Sequence, residues 1–162
     1  MKETKPLRVI GIDPGYDRLG VAIIEKTKDQ ERLLHSECFL TSPKDSFAKR
    51  LRLIGEHLEK VLAKWRPDRA ALETLFFAKN QKTAMFVAAV RGVILYEIEK
   101  TGTPIFEYAP IEIKVAVTGY GRSDKKQVEG MVKRLIHIEQ AVRYDDEYDA
   151  IAAALTSLAR DR

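Results

Sequence analysis

Four acidic residues stand where apolar packing has no use for them. Asp13 closes the apolar run of "RVIGIDPGYDRLGVAII" (Arg8 to Ile24), Glu73 closes "RAALE" (Arg69 to Glu73), and Asp146 and Asp149 open "YDDEYDAIAAAL". Three residues apart on a helix, Asp146 and Asp149 share a face. The alanines that follow, Ala150, Ala152, Ala153 and Ala154, let that helix lie close against a sheet. Packed beside the first strand, it would bring four oxygen donors together. Carboxylates a few ångströms apart raise one another's pKa unless a cation neutralises them. All-oxygen sets suit Mg²⁺ or Mn²⁺. Two such ions can activate a water and stabilise the leaving oxygen of a phosphodiester.

Taken singly, each acid has a plainer reading, and singly that reading is the stronger. Asp13 before Pro14-Gly15 is a turn residue. Asp146 is an N-cap and Asp149 a first-turn acid favoured by the helix dipole. Glu73 is an exposed strand end. What weakens these readings is that all of the acids sit at element ends that one site could share. Asp145 adds a third acid to the last segment; Asp146 is preferred as the ligand because it lies three residues before Asp149.

The elements that must position these acids can be read from periodicity. Two apolar runs about Pro14-Gly15 predict a β-hairpin, and Glu31 to Leu40 a third strand. Phe47, Leu51, Ile54, Leu58, Val61, Leu62 and Trp65 recur at helical spacing and end at Pro67. Arg69 to Glu73 is a fourth strand. A long helix is expected from Gln81 to Lys100, with Ala84, Val87, Ala88, Ile94, Leu95 and Ile98 on one side and Gly102 as its stop. That face serves equally as core or as a dimer surface. A fifth strand spans Pro104 to Ala109, and Pro110 opens a short helix to about Val117. A glycine-bearing loop then enters a helix with Ser123 as candidate cap, and the last helix covers Asp146 to Leu158. The order implies an α/β domain: an antiparallel meander extended through helical crossovers.

At 162 residues the chain suits one domain, with residues 1–5 loose. Its net charge of +4 is compatible with a polyanionic partner without requiring one. The single cysteine, Cys38, excludes an internal disulfide and a cysteine-based zinc site, and is expected to be a buried, inert thiol. The opening "MKETKPLRVIGID" lacks a signal peptide's apolar stretch, and no run approaches the length of a membrane span. A cytoplasmic protein is the expectation.

"GIDPGYDRLGVAI", "LETLFFAKN", "AAVRGVI", "EYAPIEIKVAVTGYG", "KKQVEGMV" and "DEYDAIAAALT" resemble, in order and spacing, the RuvC family of Holliday-junction resolvases. The resemblance spans Val9 to Leu155. It implies a ribonuclease-H-like fold with a mixed five-stranded sheet flanked by helices, working as a homodimer. By matching motif, Asp13, Glu73, Asp146 and Asp149 are the family's metal-binding catalytic carboxylates. Lys114 and Lys125 match its DNA-contacting lysines, with Lys126 next door as an alternative to Lys125. Phe76 matches the aromatic residue that stacks near the branch point. The chemistry agrees, since lysine suits phosphates and an exposed ring can stack on an opened base. For Phe76 and Phe77 the alternative is core packing, and for Lys125, Lys126, Lys133 and Arg134 a solvated helix face. His35, His57 and His137 fall on none of these motifs and are expected to be structural or surface residues; Tyr120, between two glycines, has no role assigned.

The resemblance further implies a Mg²⁺-dependent endonuclease, two ions per site with Mn²⁺ able to substitute, that makes paired nicks in four-way DNA junctions during recombination and repair. It also implies a branch-migration helicase complex as partner. Three rivals remain. One is a nuclease of the same fold acting on RNA–DNA hybrids. Another is a kinase-like ATP binder, which needs a second domain that 162 residues leave no space for. The last is a structure-specific DNA-binding protein without catalysis, which leaves the four carboxylates idle.

Overall fold

The computed structural model describes residues 5–74 and 81–160, the side chains of 81 and 82 excepted. Strands β1 (Leu7–Asp13), β2 (Arg18–Lys26) and β3 (Glu31–Leu40) form the expected meander. Helix α1 (Phe47–Trp65), strand β4 (Arg69–Glu73), helix α2 (Gln81–Lys100) and strand β5 (Ile105–Tyr108) follow, then helices α3 (Pro110–Thr118), α4 (Lys125–Leu135) and α5 (Asp145–Ala159). The sheet order is β3-β2-β1-β4-β5; β1, β3, β4 and β5 run in one direction and β2 alone runs against them. This is the mixed five-stranded sheet that the chain order predicts.

β1 is buried on both faces, which is why it reads as an unbroken apolar run. Its alternation sorts the core into two layers. Ile10 and Ile12 join Ile54, Leu58, Val90, Ile94 and Ile98 of α1 and α2 on one face. Val9 joins Ala150, Ile151, Ala154 and the buried residues of α3 and α4 on the other. Helix α5 lies unusually close to the sheet. A Cβ on Gly11 would collide with the Ala150 carbonyl oxygen, and one on Gly20 with that of Asp146. Small residues on both sides therefore set the depth of α5, as the run of alanines predicts.

Helix α2 divides its surface. Ala84, Val90, Ile94 and Ile98 are buried in the core, whereas Met85 and Tyr96 face outward and Gly92 has open space beside it. Among the apolar residues expected on one side, Ala88 is instead exposed and Val87 and Leu95 are half-buried.

Two helix starts differ from expectation. The cap of α4 is Asp124: its carboxylate accepts from the Gln127 backbone N–H at 2.9 Å, and Gln127 Oε1 accepts from the Asp124 N–H at 2.9 Å. Ser123 is buried and engaged elsewhere, with its hydroxyl 2.6 Å from Thr118 Oγ1 and 2.7 Å from the Tyr120 carbonyl. Helix α5 begins at Asp145, so its cap is Tyr144 and Asp146 already lies in the first turn. Lys5 pairs with Asp68 at 2.7 Å. Among the described residues, no helix is long and apolar enough to cross a membrane.

Candidate active site

Parallel pairing of β1 with β4 puts their carboxyl ends together at one edge of the sheet, where α/β folds present their chemistry. Ile12 pairs with Leu72, so the next residues, Asp13 and Glu73, emerge side by side. The deep seat of α5 brings its first turns, with Asp146 and Asp149, to the same edge. Glu73 is fixed from behind by Arg91, nearly buried on α2. Its guanidinium donates to the Glu73 carbonyl at 2.8 Å and pairs with Glu107. That arginine sits in the "AAVRGVI" motif, yet its grip on β4 spans a crossover that sequence does not display.

The four acids act on one another. Burial, then the charges of Asp149, Asp146 and Glu73, raise Asp13 from 3.8 to about 8, with Lys125 opposing. Burial and Asp149 raise Glu73 against the pull of Lys114 and Lys125. Burial raises Asp149 against Lys125, and raises Asp146 against Arg18. A cavity of about 310 Å³ opens beside them, lined by Glu73, Asp149, Lys114 and Lys125 with Pro110, Ile113, Val128 and Ala152. Lys125, not Lys126, lines it; its ammonium lies 2.5 Å from Asp145 and 3.2 Å from Asp149. Phe76 and Phe77 lie outside the described residues.

Among the described residues no three ligating side chains already form a closed metal cluster. The donor set nonetheless fits a hard divalent cation, since every contributing atom is a carboxylate oxygen. Asp146 Oδ2 is buried without a hydrogen bond. Arg18 Nε approaches it to 3.3 Å, an ion pair lacking hydrogen-bond alignment. Asp13, raised to about 8, is a strongly desolvated acid awaiting positive charge.

Several neighbours carry little sequence signal. Arg18 touches the α5 acids, 3.3 Å from Asp146 and 3.8 Å from Asp145, and its guanidinium lies over Tyr144. Glu147 is buried between the two ligand candidates. It accepts from Ser36 Oγ at 2.9 Å, and Gln140 donates to the Ser36 carbonyl at 2.7 Å, tying the approach to α5 onto β3. Cys38 is half-buried rather than buried; burial and the nearby Asp146 push its thiol up to about 11, so it is inert as expected. His35 and His57 bracket Glu37 at 3.4 and 2.7 Å, on the α1 side of β3. His137 and Tyr120 are exposed.

The family model for "Crossover junction endodeoxyribonuclease RuvC" matches residues 9–157. A protein of that name from Petrotoga mobilis is 43% identical over 146 residues, 90% of each chain. The structure of Thermus thermophilus RuvC in complex with a Holliday junction substrate superposes with a TM-score of 0.89 at 33% identity, covering 96% of this chain and 95% of that one. The yeast mitochondrial Holliday junction resolvase shares the fold at 16% identity, with a TM-score of 0.70 over 94% and 78% of the two chains. The fold is therefore the ribonuclease-H-like one, and the chain belongs to the RuvC family of crossover junction endodeoxyribonucleases.

Proposed function

We propose that this chain is a Mg²⁺-dependent endonuclease that resolves four-way DNA junctions by paired symmetric nicks, in recombination and repair. The observation that carries the reading is the convergence of Asp13, Glu73, Asp146 and Asp149 at one sheet edge beside a cavity holding Lys114 and Lys125. These four carboxylates would hold the metal. When bound, Mg²⁺ (two ions, with Mn²⁺ able to replace them) supplies a Lewis acid that activates water and stabilises the leaving oxygen. The protein's own part is positional: β1 and β4 hold Asp13 and Glu73, α5 holds the aspartates, and the lysines present point charges to backbone phosphates. Lys125 is favoured over Lys126 because its ammonium is at the cavity. Phe76 stacks at the branch point.

A homodimer, joined through the outward side of α2, would set two such sites about a two-fold axis, matching two strands of like polarity. The structure of the Thermus thermophilus relative with its junction substrate supports junction DNA as the ligand. The branch-migration helicase partner is carried by the family resemblance, the single-domain organisation by chain length, and the cytoplasmic setting by the lack of any apolar run of membrane-spanning length.

The test is cleavage of a labelled four-way junction in Mg²⁺ by wild type and Asp13→Asn, with an RNA–DNA hybrid alongside. Wild type is expected to nick the junction symmetrically and leave the hybrid intact, and the variant to be inactive while folded. Preferential hybrid cleavage defeats the resolvase reading. An active Asp13→Asn defeats the site assignment.

A further inference from the structure

We propose that Asp145 is a positioning residue that holds Lys125 at the mouth of the carboxylate cavity as a stand-in for a DNA phosphate, and that junction DNA must displace it. The inference rests on the reading that Lys125 contacts DNA. Asp145 opens α5 but does not line the cavity that Asp149 and Lys125 share. Its charge bears on its helix neighbours Asp146 and Asp149, but its own oxygens, outside the cavity lining, face cations. Asp145 is nearly half exposed, and its two oxygens are divided between two of the cations around the site, Lys125 and Arg18. Oδ2 is 2.5 Å from Lys125 Nζ and Oδ1 is 3.8 Å from Arg18 Nη1.

A carboxylate and a phosphodiester offer an ammonium the same thing, an anionic oxygen that accepts a charge-assisted hydrogen bond. The shorter of the two Lys125 contacts is the one to Asp145, not the one to Asp149 inside the cavity. The lysine is thus held towards the rim, where an approaching backbone phosphate would meet it. Because the pair is well exposed, its strength is modest. The displacement it imposes on DNA is a restraint, not a block.

The experiment is a double-mutant cycle read by binding of a fluorescein-labelled four-way junction in EDTA, where no strand is cut. Asp145→Asn is expected to bind about threefold to fivefold more tightly than wild type, the scale of one exposed ion pair. Lys125→Met is expected to bind more weakly. In the Lys125→Met background, Asp145→Asn is expected to add nothing, because the restrained lysine is gone. An equal gain in both backgrounds would show Asp145 acting only as a repelling charge, and would overturn the inference while leaving the DNA role of Lys125 intact. The absence of any gain in the single variant overturns it likewise. If Lys125→Met binds as wild type does, the DNA role of Lys125 falls and this inference with it.

Discussion

Replacing Asp13 by Asn should stabilise the metal-free protein while abolishing the chemistry. Asp13 holds its proton up to about pH 8 in the folded chain, against an ordinary value of 3.8, because it is desolvated and faces Asp149, Asp146 and Glu73. Above pH 4 the unfolded chain has released that proton and the folded chain has not. The folded state therefore binds more protons, and stability falls as pH rises through that window. Each pH unit costs about 1.4 kcal/mol, so from pH 4 to 7 the loss is roughly 4 kcal/mol. That is a large share of the about 5–15 kcal/mol that holds a typical domain together. An Asn has no charge to lose. Its amide, buried without a dedicated partner, takes back about 1–2 kcal/mol, leaving a net gain of roughly 2–3 kcal/mol near pH 7.

Urea denaturation in EDTA at pH 5 and pH 7.5 reads this directly. Wild type should lose stability between the two, and Asp13→Asn should lose less and be the more stable at pH 7.5. Adding Mg²⁺ at pH 7.5 should raise the wild-type midpoint more than the variant's, since the ion supplies the missing positive charge. A variant no more stable than wild type at pH 7.5, together with a wild-type curve flat in pH, would refute the claim that the acids are held together against their own repulsion.

Gly20→Ala places a methyl group against the Asp146 carbonyl and 3.2 Å from the Asp13 Cβ. It should cost about 1–3 kcal/mol of stability by overpacking, and thermal melting with a junction-cleavage assay should show activity falling more than the loss of fold explains. At Glu37, burial pushes the carboxyl up, but hydrogen bonds from His35 and His57 prevail and bring it down from 4.5 to about 2. Its stabilisation is complete above pH 4.5 and is lost as pH falls towards 2. Glu37→Gln should therefore flatten the acid limb of the stability curve between those values, as followed by acid titration of the far-ultraviolet circular dichroism.

How much of the site was legible follows from how each part is built. Asp13 and Glu73 were visible because each ends an apolar strand, and a carboxylate there contradicts the pattern that made the strand readable. Their convergence depends on β1 and β4 being parallel neighbours; the α1 crossover from β3 implies only that β4 runs parallel to β3, and its place beside β1 is seen only in the folded chain. The close approach of α5 was legible in its alanines, and Gly11 and Gly20 in β1 and β2 complete it. The start of α4 was misplaced by one residue because Ser123 and Asp124 are both good caps, and Thr118 claims the serine hydroxyl. Beyond these, pattern fails for a physical reason. Arg18 meets Asp145 and Asp146 across more than a hundred residues, Ser36 meets Glu147 likewise, and Arg91 reaches β4 from within a helix. Hydrophobic periodicity reports which face of an element is buried, so it locates anything that interrupts a face. It carries nothing about which polar side chain finds which partner once the faces are packed. The carboxylates interrupt the pattern and declare themselves; the cations and the buried network that restrain them obey it and are seen only in the folded chain.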